Sequence, residues 1–247
     1  AAALLVAIAL PLAVALVASL APERELFGGG ARIPSELTAE HYEILFTERD
    51  FWTPVRNSLV VAAATTILCV AIGSACAYAL ARLRFRGRHL VLGAMLAVSM
   101  FPQISIVAPL YLLLREVGLI DTYPGLVLPY LTFALPLAVW LLVGYFRQLP
   151  PELEDAAIVD GASRLRVLWE IVLPLAMPGI ATTAILTFVY CWNEFLFALS
   201  FTTTHERHTV PVAVALFRGQ FQIPWGQILA ATIVSTLPVL ALVAAFQ

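Results

Sequence analysis

Lysine is absent from this 247-residue chain, so all 14 of its basic residues are arginine, set against 16 acids. Without lysine there is no phosphate-cradling loop of the form G-x-x-x-x-G-K-[ST], and any work driven by nucleotide hydrolysis has its engine on another chain. Charge of either sign is scarce, at 12% of residues, where a soluble domain devotes about 25% to covering its surface. With 61% apolar residues and a mean hydropathy of +0.92, the composition excludes an ordinary soluble protein and makes lipid the main solvent. A net charge of −2 offers no basic face to a phosphate backbone, which excludes nucleic acid as a partner.

Other absences narrow the chemistry further. The three cysteines, Cys69, Cys76 and Cys191, all lie in apolar stretches, where a thiol behaves as a small hydrophobe. Cys69 and Cys76, on one helix, stand about 10 Å apart, beyond disulfide reach. The apolar runs lack the alternation over about ten positions that a membrane barrel requires. His205-Glu206-Arg207-His208 resembles the zinc pattern H-E-x-x-H, but its histidines are three residues apart, not four, and no metal ligand set is expected. No serine, histidine and aspartate converge within one segment, so no catalytic residue is expected. There is no internal repeat, and Gly28-Gly29-Gly30 reads as a flexible turn.

What the chain has is length without charge. A membrane helix needs about 20 such residues, and six runs qualify: Ala1–Pro22, Asn57–Ala81, Leu90–Leu114, Thr122–Phe146, Ile171–Thr204 with the single exception of Glu194, and Gly219–Gln247. These predict an all-α polytopic membrane protein with six transmembrane helices. The first run has no basic start and no clean cleavage site, so it is read as a helix rather than a signal peptide. Arg82, Arg84, Arg86 and Arg88 place the loop after the second helix in the cytoplasm. The segment after the first helix carries Glu23, Glu25, Glu36, Glu40, Glu43, Glu48 and Asp50 against four arginines, and is external. Six crossings then put both termini, and the loop from Arg147 to Glu170, in the cytoplasm. Residues 1–53 hold the first helix and its external loop. The chain begins without methionine or a basic tail and stops in an apolar run, so further terminal sequence is expected.

The long cytoplasmic loop reads as helix, stop, helix. Pro151 suits a first helical turn, Glu152, Glu154 and Asp155 complement the positive end of the dipole, Gly161 supplies a left-handed stop, and Ser163 caps the second helix. Leu153, Ala156, Ala157 and Asp160 recur at helical spacing and form a small, flat face. By itself this is equally a docking surface or an amphipathic connector lying on the membrane.

Glu154-Asp155-Ala156-Ala157, Asp160-Gly161-Ala162 and Ile171-Val172-Leu173-Pro174 resemble the EAA loop of the permease subunits of ATP-binding cassette importers, over residues of about 150–180. Similar to the sugar-transporting, MalG-like branch are Asn57-Ser58-Leu59, Ala77-Tyr78-Ala79-Leu80-Ala81-Arg82, Met100-Phe101-Pro102, Gly118-Leu119-Ile120-Asp121-Thr122 and Trp192-Asn193-Glu194-Phe195. The resemblance implies a type-1 transmembrane domain over residues 54–247, with a coupling helix between helices four and five. Its ATPase-coupling residues would be Glu154, Asp155, Ala156, Ala157, Asp160 and Gly161. It also implies a second permease subunit, two copies of an ATP-binding cassette ATPase carrying ATP and magnesium, an external solute-binding protein, and a bacterial or archaeal plasma membrane. No cofactor is implied on this chain. The departure from the pattern is Asp155, where the motif's glutamate is usual; the charge is kept and the reach shortened.

Within the fifth run Glu194 is the only charge, and a carboxylate at membrane depth costs about 2.5–3.5 kcal/mol. Thr183, Thr187, Tyr190 and Glu194 fall on one stripe, accompanied by Asn193, and are candidate pathway-lining residues that meet sugar hydroxyls. The alternative is a structural role for Glu194. Gly73, Ala77 and Ala81 form a small-residue ridge for helix packing, and Pro102, Pro109, Pro129, Pro136 and Pro238 are expected to kink their helices. The function expected is half of a translocation pathway for a carbohydrate. Its rival is a proton-coupled secondary transporter that uses Glu194.

Overall fold

The computed structural model describes residues 2–26, 34–217 and 223–245, and all regular structure among them is helical. The Gly28-Gly29-Gly30 turn lies outside the described residues. In chain order the helices are α1 (Ala2–Ser19), α2 (Glu23–Leu26), α3 (Glu40–Thr47), α4 (Trp52–Arg82), α5 (Arg88–Ser99), α6 (Ile104–Glu116) and α7 (Tyr123–Gln148). They continue with α8 (Glu152–Val159), α9 (Arg164–Val167), a π turn Leu168–Val172, α10 (Leu173–Leu175), α11 (Met177–Trp192), α12 (Leu196–Phe201), α13 (Val210–Ala215) and α14 (Trp225–Ala245).

The expected six crossings are found only in part. Among the described residues three helices, α4, α7 and α14, are long and apolar enough to cross a membrane, and counting two bent pairs as one crossing each brings the number to five. The runs at 90–114 and 171–204 do not form single rods. The first bends by 91° between α5 and α6, and the second by 80° between α10 and α11. Proline accounts for both: Pro102 sits in the first break, and Pro178 in the opening turn of α11. A proline lacks the N–H needed to continue a helix from the preceding turn. Pro109, Pro129, Pro136 and Pro238 instead lie inside continuous helices.

The chain divides into two compact units, residues 1–58 with 203–247, and residues 59–202. In the first unit α1 packs along α14. In that unit Glu23 accepts hydrogen bonds from the N–H groups of Trp225 (3.0 Å) and Gly226 (3.1 Å), satisfying the exposed donors at the start of α14. His41 Nε2 lies 2.9 Å from the Ala21 carbonyl. Asn57 donates to the carbonyls of Glu206 and His208, each at 2.9 Å, and Ser58 accepts from the N–H of Val210 at 2.8 Å. His205 faces Asp50 at 3.7 Å.

The second unit is organised around α7. Thr122 caps that helix by accepting from the Gly125 N–H at 3.2 Å. The small-residue ridge of α4 packs as expected: Gly73 sits against Leu135, Ala138 and Leu142, and Ala77 is fully buried. α11 approaches α7 so closely at Gly179 that a Cβ there would fall 2.3 Å from the Tyr145 ring. At one end of the unit, Ala77, Tyr78 and Leu80 of α4 close a core with Val139, Leu142, Val143 and Phe146 of α7 and with Val167, Leu168 and Val172 of the elbow formed by α9, the π turn and α10.

Candidate functional site

The loop between α7 and α11 hangs from that core. α8 begins after Pro151 and ends where Gly161 takes φ +86°, a conformation that costs a residue with a Cβ. Ser163 then accepts from the Arg166 N–H at 3.3 Å and starts α9. These are the stop and the cap expected from the sequence. Ala157 and Ile158 pack against the core, whereas Leu153, Asp155, Ala156, Asp160 and Gly161 are exposed and Val159 is 87% exposed.

Glu154, expected among the ATPase-coupling residues, is not on the exposed face. It is 4% exposed and points inward, with Oε1 2.6 Å from Nε of Arg82, the last residue of α4. Arg82 also donates to the Leu149 carbonyl at 2.8 Å, and the Tyr78 hydroxyl faces both Glu154 and Arg164. The face presented outward is therefore Asp155, Ala156, Asp160 and Gly161, while Glu154 is the root that fixes it. In the sequence Arg82 orients its loop and closes the Ala77–Arg82 segment, and neither feature reveals Glu154 as its partner.

The polar stripe of α11 is divided in a similar way. Thr183, Thr187 and Glu194 are buried inside the unit, Tyr190 is half-buried, and Asn193 is exposed. Thr183 donates to the Gly179 carbonyl at 2.8 Å and Asn193 to the Val189 carbonyl at 2.7 Å. The Glu194 carboxylate accepts from the N–H groups of Phe197 (2.8 Å) and Ala198 (3.1 Å), and the buried Tyr130 hydroxyl faces it. Two N–H groups at the start of α12 are thus satisfied by a negative charge on the favourable end of the helix. Tyr190 accepts a hydrogen bond from the Gln103 amide at 2.6 Å, which ties the α5–α6 break to α11. Gln103 and Tyr130 were not anticipated, since nothing in their local sequence places them beside α11.

The described residues form an all-helical chain with two bent apolar helix pairs and an exposed turn rooted on α4. A profile of the family described as binding-protein-dependent transport system inner membrane component matches residues 69–247. The trehalose transport system permease protein SugB of Mycobacterium tuberculosis is 46% identical over 220 residues, 88% of this chain and 80% of that protein. The trehalose/maltose transport system permease protein MalG of Thermococcus litoralis is 42% identical over 228 residues, 91% of this chain and 82% of that one. A chain from the crystal structure of a bacterial ABC transporter that imports the acidic polysaccharide alginate shares the fold, with a TM-score of 0.80 at 22% identity, covering 99% of this chain and 91% of that chain. The chain belongs to the binding-protein-dependent transport system inner membrane component family, the permease subunits of ATP-binding cassette importers.

Proposed function

We propose that this permease carries a carbohydrate, and that α8 is its coupling helix. The observation that carries the reading is the Arg82–Glu154 pair, which roots α8 on a membrane-crossing helix while leaving Asp155, Ala156, Asp160 and Gly161 exposed. A short helix held this way passes movement of a docked subunit to α4 as a rigid body. The partners are a second permease subunit, two copies of an ATP-binding cassette ATPase that hold ATP and magnesium, and an external solute-binding protein. Taking α1 and each bent pair as one crossing gives six spans with both termini in the cytoplasm, the side of Arg84, Arg86 and Arg88.

Carbohydrate is favoured by the relatives named for trehalose and maltose transport. Thr183, Thr187, Tyr190, Asn193 and Glu194 line or support the pathway, Tyr190 and Asn193 as its more accessible members and Glu194 by holding the α11–α12 break. The proton-coupled rival finds no support, because the carboxylate it requires already accepts two backbone N–H groups. The test is reconstitution of the chain with its co-purifying subunits and solute-binding protein in vesicles. Uptake of trehalose or maltose should require internal ATP and survive collapse of the proton gradient; uptake that ends with the gradient while ATP persists would overturn the reading.

A further inference from the structure

We propose that the cavity at the α5–α6 break is a solute subsite that takes one uncharged sugar ring, an inference that rests on the carbohydrate reading. The cavity measures about 200 Å³ and is lined by Ser99 at the end of α5, Phe133, Ala134 and Leu137 of α7, and Thr187 and Tyr190 of α11. α5 has 12 residues, so about 18 Å of helix separates Arg88 from Ser99. In a hydrocarbon layer of about 30 Å that sets the break near the middle of the membrane. Irregular backbone at such depth is tolerated where it is buried in protein or lines an aqueous cavity, and in secondary transporters broken helices near the midplane hold the solute.

The lining has the mixed character that a sugar needs. Ser99, Thr187 and Tyr190 bring hydroxyls, while Phe133, Ala134 and Leu137 bring apolar surface for the C–H face of a ring. The Gln103 amide donates to the Tyr190 oxygen, which leaves the phenolic proton to be given to a solute. None of the six lining residues is charged. The Glu194 carboxylate lies close enough to Tyr190 to act on it electrostatically. An anionic sugar would therefore enter with no counter-charge, at a depth where unpaired charge is costly. Size restricts the occupant further, because about 200 Å³ corresponds to roughly seven waters and falls below the range of about 300–1,000 Å³ for larger ligands. The larger cavity between α4 and the elbow, about 780 Å³, is walled by Ile67, Val70, Leu168, Leu173 and Met177 and offers little to a polyol.

The experiment uses the assembled complex, with Ser99→Cys or, on the α7 wall, Leu137→Cys as the label, and the unsubstituted chain with Cys69, Cys76 and Cys191 as background. Millimolar trehalose or maltose should slow alkylation of the introduced thiol by N-ethylmaleimide severalfold, and an alginate disaccharide should not. Tyr190→Phe, which removes the hydrogen bond given to the solute along with the one accepted from Gln103, should raise the trehalose concentration needed for protection about three- to tenfold. If trehalose is imported yet protects neither thiol, the cavity is not a subsite and the carbohydrate reading stands. Equal protection by the acidic sugar overturns the uncharged class. A complex that imports neither neutral sugar overturns both readings.

Discussion

Nε of Arg82 stands 2.6 Å from Oε1 of Glu154, so the last residue of α4 and the first turn of α8 are joined by a buried ion pair. Both side chains are almost wholly shielded, and Arg82 holds the Leu149 carbonyl as well. Neither charge has water to fall back on, which makes the pair stiff and intolerant of losing one member.

Arg82→Met alone, or Glu154→Met alone, should destabilise the chain by about 3–5 kcal/mol, because each leaves an uncompensated buried charge. The double substitution should cost far less, since two packed apolar side chains replace two desolvated ions. Thermal unfolding of the complex and recovery of the ATPase subunits with the tagged chain measure this. Equal losses in the single and double variants would show that the pair is not the root of α8.

Gly161 has φ +86° and no atom within 4 Å of where a Cβ would stand, so a substitution there strains backbone without a clash. Gly161→Val should cost about 1–2 kcal/mol, with Gly161→Asn milder because asparagine tolerates this region. The expected readout is weakened co-purification of the ATPase subunits with unchanged membrane insertion. Retention of both by the valine variant would detach the turn from coupling.

The elements that were legible in advance are those set by local chemistry. Pro151, Gly161 and Ser163 act through their own backbone and near neighbours, so their order in the chain reveals the turn. The ridge of Gly73 and Ala77 was legible because small residues at helical spacing have one dominant use. Side-chain direction was not legible. Glu154 and Asp155 are adjacent carboxylates, and only the position of Arg82, 72 residues away from Glu154 in sequence, decides which one is buried. The breaks were hidden for a related reason. Uncharged runs report solvent, not continuity, and Pro102 and Pro178 sit at breaks whereas Pro109, Pro129 and Pro136 are absorbed within helices. Glu194 stood out as a costly charge, but its partners are backbone N–H groups three and four residues on, which no residue type announces.

Glu194 should therefore behave as a graded cap. Glu194→Gln retains one acceptor oxygen for the N–H groups of Phe197 and Ala198, and Glu194→Ala retains none. Stability should fall in the order Glu, Gln, Ala, the alanine variant losing about 1–3 kcal/mol for donors left unpaired. Hydrogen exchange at Phe197 and Ala198, with the unfolding midpoint of the complex, tracks that order. An alanine variant as stable and protected as the parent would leave the carboxylate without a structural role.

Gly226 and His41 make the sharpest steric test in the N-terminal unit. A Cβ on Gly226 would lie 2.2 Å from His41 Nε2, closer than any real contact, and displacing the ring breaks its 2.9 Å approach to the Ala21 carbonyl. Gly226→Ala should cost about 1–3 kcal/mol, the range for overfilling a packed site. His41→Ala removes the obstacle, so the alanine at position 226 should be nearly free in its presence. The four unfolding midpoints of the cycle should yield a coupling of about 0.5–3 kcal/mol. Strict additivity would mean that the two residues do not meet, and that α3 and α14 are not held together at this point.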